Sequence, residues 1–89
     1  MPYIRDVERK EIEQGKPPAT AGELNYCFTL LINEYLNTLG ERYQTYNDIV
    51  GALEGCKLEL YRRKICTYED RKRDENGEVY EMPQKGTEL

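Results

Sequence analysis

At 89 residues and a formal net charge of −4, the chain is one small domain that can bury only about 60–65% of its unfolded surface. It has three cysteines but no histidine and no serine, which excludes serine- and papain-type nucleophiles and means that a four-ligand zinc site would need carboxylates or a second chain. Its overall acidity gives no long-range pull toward nucleic acid or an anionic membrane, so any anion site has to be local.

The opening "MPYIRDVERKEIEQ" sets Ile4, Val7 and Ile12 on a weakly amphipathic face. That pattern predicts a helix of two or three turns, which is marginal in water unless it docks. Gly15 can cap it, and Pro17-Pro18 cannot continue it. The same stretch lacks the apolar core of an export signal, and no apolar run approaches the ~20 residues of a membrane span. With an odd set of free thiols, the expected setting is the cytoplasm, with no membrane partner.

Thr20 then opens "TAGELNYCFTLLINEYLNTLG". Thr20 and Glu23 fit a capping box, in which each side chain satisfies a free amide of the first turn. Leu24, Cys27/Phe28, Leu31, Tyr35 and Leu39 recur at steps of three and four, the helical period, and Gly40 stops the helix. After "ERYQ", Thr45 or Asn47 is placed to cap a second long helix. Its apolar positions are Ile49/Val50, Leu53, Cys56, Leu60/Tyr61, Ile65 and Tyr68. Gly51, Ala52, Gly55 and Cys56 thin this face. Each interior glycine costs roughly 1 kcal/mol of helix propensity, a cost that a close backbone crossing would offset. "ENG" is read either as a helix stop at Gly77 or as a hairpin turn, "EVYEM" as a short strand, and "PQKGTEL" as a frayed tail.

The expected fold class is therefore mainly all-α: a short N-terminal helix, two antiparallel amphipathic helices, and a short C-terminal strand or hairpin. In domain terms, residues 1–89 form one helical domain, with an N-terminal arm (1–19), a helical hairpin (20–68) and a polar C-terminal segment (69–89). Eight tyrosines against one phenylalanine and no tryptophan suit half-buried positions such as subunit interfaces. With so lean a core, they predict a homo-oligomer.

Residues 57–73 carry seven basic and three acidic side chains. If this segment is helical, Glu59–Arg63 and Glu69–Arg73 form i,i+4 pairs, each contributing only ~0.2–0.5 kcal/mol, and the stretch is an ordinary solvated face. Lys64, Tyr68 and Arg71/Lys72, however, lie along one side, with Tyr61 seven residues before Tyr68. Two phenol rings among uncompensated cations can stack a base and hold phosphates. The candidate ligand-binding residues are thus Tyr61, Arg62, Arg63, Lys64, Tyr68 and Arg71. Nothing in the sequence forms a catalytic set, a phosphate-cradling glycine loop or a metal or cofactor site.

The blocks "AGELNYCFTLLINEYL", "YNDIVGALEGCKLELYRR", "YED" and "ENGEVY" resemble a family of short uncharacterised proteins of bacteriophages, prophages and marine viral sequence. The resemblance runs from about Ala21 to Tyr80. In that family a proline often precedes the Tyr-Glu-Asp, where this chain has Thr67, which implies a helix break near residues 65–67. It also implies viral origin in a bacterial host, and it supplies no catalytic residue. Two functions are expected from these readings. One is a non-enzymatic binder of a small anionic ligand, similar to small phage-encoded helical oligomers that sequester nucleotide second messengers of bacterial immunity. The alternative is a structural or adaptor module that binds a protein.

Overall fold

The computed structural model describes residues 2–81 and Pro83. The chain is mainly helical: α1 (Asp6–Glu13), α2 (Ala21–Leu39), α3 (Tyr43–Leu60), a π-helical turn (Tyr61–Ile65) and α4 (Cys66–Asn76). Two compact units divide it, Met1–Val50 and Gly51–Leu89. The division falls inside α3.

In the first unit, α1 packs on α2. Its first turn carries Asp6 and Glu8 and its last turn Lys10, the order that complements the helix dipole. Ile12 is the one buried apolar side chain among the described residues. Arg9 anchors the entry by donating to the Ile4 carbonyl (2.9 Å). Its guanidinium lies over the Tyr26 ring, 5.8 Å from the centroid, and the Tyr26 hydroxyl donates to Glu13 (3.1 Å). The short helix is thus docked, as its length requires.

The capping box at Thr20 is formed. The Thr20 hydroxyl accepts from the Glu23 amide (3.1 Å), and the Glu23 carboxylate accepts from the Ala19 amide (3.2 Å). That second bond reaches one residue further out than the usual box. Gly40 and Gly77 end α2 and α4 at φ +87° with ψ 155° and φ +96° with ψ 155°, a region that glycine alone occupies at low cost. The Asn-Gly pair is therefore a helix stop and not a hairpin turn.

Several expectations are corrected. The second long helix starts at Tyr43, ahead of both expected caps. Tyr46 donates to the Arg42 carbonyl (3.0 Å), so Thr45 sits inside the first turn, 1% exposed, with a hydroxyl that has no hydrogen-bond partner. The elements in contact are α1 with α2, and the π-helical turn with α4. Nothing lies within 4 Å of where a Cβ would stand on Gly51 or Gly55. The small side chains that would admit another backbone also offer little apolar area to hold one.

Nor does the helix break at residues 65–67. It widens one turn earlier, where the Cys66 amide donates five residues back to the Tyr61 carbonyl, and resumes as α4. Among the described residues there is no strand. Where "EVYEM" alternates, the Glu78 carboxylate instead accepts from the amides of Val79 (3.1 Å) and Tyr80 (2.9 Å); Met82 lies outside the described residues. So does the expected tail beyond Pro83.

Candidate functional site

The cation–tyrosine segment lies on the π-helical turn and the first half of α4. Tyr61, Arg62, Arg63 and Lys64 belong to the π turn; Tyr68 and Arg71 belong to α4. All six are exposed. Seven residues of regular α-helix leave two side chains about 20° apart, and the wider π turn adds to that offset between Tyr61 and Tyr68. Such turns are rare and recur at functional sites.

The ion pairs sort the cations. Arg63 pairs with Glu59, as the i,i+4 spacing predicts. Arg73 does not pair with Glu69. It reaches Asp70 (3.7 Å) and Asp74 (3.5 Å), a three-residue neighbour and an adjacent one. Lys72 lies over the Tyr68 ring at 5.6 Å and pairs with Glu75 at 3.4 Å, so that ring already has a cation. Arg62, Lys64 and Arg71 make no ion pair among the described residues. An open hollow nearby is lined by Glu69, Asp70, Lys72, Arg73 and Asn76–Tyr80, a mixed-charge lining that takes in none of the six candidate residues. Among the described residues, no cluster of His, Cys, Asp or Glu could hold a metal ion. No described helix is long and apolar enough to cross a membrane.

A second exposed surface is made of residues whose helical periodicity alone reads as core. Tyr26, Cys27 and Leu30 of α2 are half-buried on the side that α1 takes. Leu24, Phe28, Leu31, Tyr35 and Leu39 are left between 38% and 64% exposed, with Leu31 the most open. The first four follow a 4-3-4 spacing, the seam of a helix that meets another helix. Around Leu31, Glu34, Tyr35, Thr38 and Leu39 the seam forms an open hollow. Its charge is sparse: in nineteen residues α2 holds only Glu23, enclosed in the capping box, and Glu34. A solvated helix normally presents a charged outer face, and that shortage was the signal in the sequence.

Phenol contacts fix the end of this surface. Tyr35 donates to Asp48 (3.3 Å), which also accepts from Gln44 (2.8 Å). Desolvation and the facing Asp48 carboxylate push the Tyr35 phenol above its ordinary value. The Tyr46 phenol is raised too, chiefly by its hydrogen bond to Glu41 (3.0 Å).

A family described as Domain of unknown function (DUF6899) matches residues 1–79. The chain belongs to this family. The DUF6899 match runs from α1 through α4, so it includes the docked α1 that the blocks of resemblance, starting at Ala21, leave out. No curated protein and no solved structure matches the chain.

Proposed function

We propose that this DUF6899 chain is a non-enzymatic interaction module that works as a homo-oligomer in the cytoplasm of a bacterial host. The observation that carries the reading is the exposed apolar seam of α2, on a chain whose described core holds one buried apolar side chain. A domain this small needs staples or partners to be stable, and an apolar seam poor in charge is the kind of surface that protein partners cover. Light scattering of the purified chain tests it. A mass of two or more copies is expected, and a single-copy mass of 10.5 kDa at tens of micromolar overturns it.

A second reading is favoured by one observation, the three cations Arg62, Lys64 and Arg71 that lack ion pairs among the described residues. In it the chain, encoded by a phage as the resemblance implies, binds a small anionic ligand such as a nucleotide second messenger. Tyr61 and Tyr68 stack, and Arg62, Arg63, Lys64 and Arg71 hold phosphate. Calorimetry against cyclic dinucleotides and cyclic ADP-ribose isomers tests this reading. Heat lost in the Lys64→Ala/Arg71→Ala variant supports it, and silence across the panel removes it.

A further inference from the structure

We infer that the occupant of the α2 seam is the α2 helix of a second copy of this chain, packed antiparallel across a two-fold axis. The inference rests on the association reading above and adds the surface and its geometry. Leu24, Phe28, Leu31 and Tyr35 stand at successive seam positions, and helix pairs mesh by setting each such residue into a hole of the facing helix. Run antiparallel, with Phe28 beside Leu31 of the second copy, the seam also sets Leu24 beside Tyr35. By symmetry this makes four layers, each an aromatic ring against a leucine. Parallel packing would set Phe28 on Phe28 and Tyr35 on Tyr35, large against large, and layers interdigitate better when sizes alternate.

Charge and area agree with this pairing. Glu34 is the one charged residue on this part of α2. In the antiparallel register it falls beside Asn25 of the second copy, and the two Glu34 side chains lie nine residues apart along the pair, about 13 Å at 1.5 Å per residue. In a parallel pair they would flank the seam at the same level. Taking about 200 Å² for each large side chain, the five exposed fractions amount to about 450 Å² per copy. Mutual coverage removes about 900 Å² of apolar surface. That is close to the lower end of the size range of specific interfaces, about 1,200 Å² in all, of which polar flanking surface normally makes up the rest. The surface is self-complementary, as a closed two-fold dimer requires.

Cross-linking in a background with Cys27, Cys56 and Cys66 replaced by serine tests the register. Copies carrying Leu24→Cys mixed with copies carrying Tyr35→Cys are expected to form a mixed disulfide on mild oxidation, while neither variant bridges alone. The charge variant Leu31→Glu is expected to weaken association about a hundredfold or more, because it buries an unpaired carboxylate. Val50→Glu on α3, also at an exposed apolar position, leaves the mass unchanged. Bridging by Leu24→Cys alone, without the mixed species, means a parallel pair and overturns the inference. So does an oligomer that keeps its mass in Leu31→Glu and forms no mixed disulfide, although the association reading then survives. A wild-type chain of single-copy mass overturns both.

Discussion

Replacing Thr20 by alanine removes the acceptor for the Glu23 amide (3.1 Å) and the hydroxyl that donates to the Glu23 carboxylate (3.3 Å). Loss of an N-cap hydroxyl costs about 1 kcal/mol, within a range of roughly 0.5–2. Glu23 is 5% exposed, so Glu23→Ala also leaves the Ala19 amide without its partner, and a cost of about 1–2 kcal/mol follows. The two substitutions share a contact. The double variant should therefore lose less than the sum of the singles by about 0.5–1 kcal/mol, while Thr20→Ser stays close to wild type. Urea unfolding followed by circular dichroism at 222 nm, at one fixed protein concentration, measures all four corners. The slope with denaturant should be unchanged, and each kcal/mol should appear as about 4–8 °C in Tm. If Thr20→Ala lies within about 0.3 kcal/mol of wild type, or the two losses simply add, the reciprocal cap is not what holds the start of α2.

Thr45→Val should stabilise the chain by about 1 kcal/mol, because it removes a buried hydroxyl that bonds to nothing and leaves a side chain of the same shape; a lower urea midpoint would contradict that. Gly40→Ala should cost about 1–3 kcal/mol, since φ +87° strains any residue with a Cβ; the same unfolding assay reads it. The Tyr35 and Tyr46 phenols have folded pKa values raised above the ordinary value of 10.0. Their contribution to stability is fully present below about pH 10 and is lost as pH rises through the raised values. Absorbance at 295 nm should show a late-titrating fraction that shrinks in Tyr35→Phe/Tyr46→Phe, with the Tyr26 phenol, raised by desolvation and its bond to Glu13, keeping its share, and an unchanged titration would refute the assignment.

Local signals carried most of the helix assignments. Thr20 with Glu23, Gly40 and Gly77 each act within one turn of chain, and each does in the structure what its chemistry demands. The Arg63–Glu59 pair was legible for the same reason, whereas Arg73 had nearer carboxylates at Asp70 and Asp74 and took those. Thr45 misled because a cap requires non-helical backbone, and the chain turned helical two residues sooner. What the sequence could not specify was which surface faces which. The stripe Leu24–Leu39 reads as core on periodicity alone, yet α1 docks on the neighbouring side and leaves it open. The glycine-thinned stretch from Gly51 to Cys56 permits a close crossing without compelling one. The π turn at Tyr61–Ile65 has no composition cue, and it shifts every angular argument about the cation segment that follows.

Thermal unfolding of the wild-type chain, followed at 222 nm over a hundredfold range of protein concentration, measures directly whether folding is coupled to association. If the α2 seam is covered by a partner copy, mass action raises the midpoint as concentration rises. A midpoint that stays fixed across the range, in a particle of single-copy mass, would mean that the chain is stable by itself and that its apolar seam is not an interface.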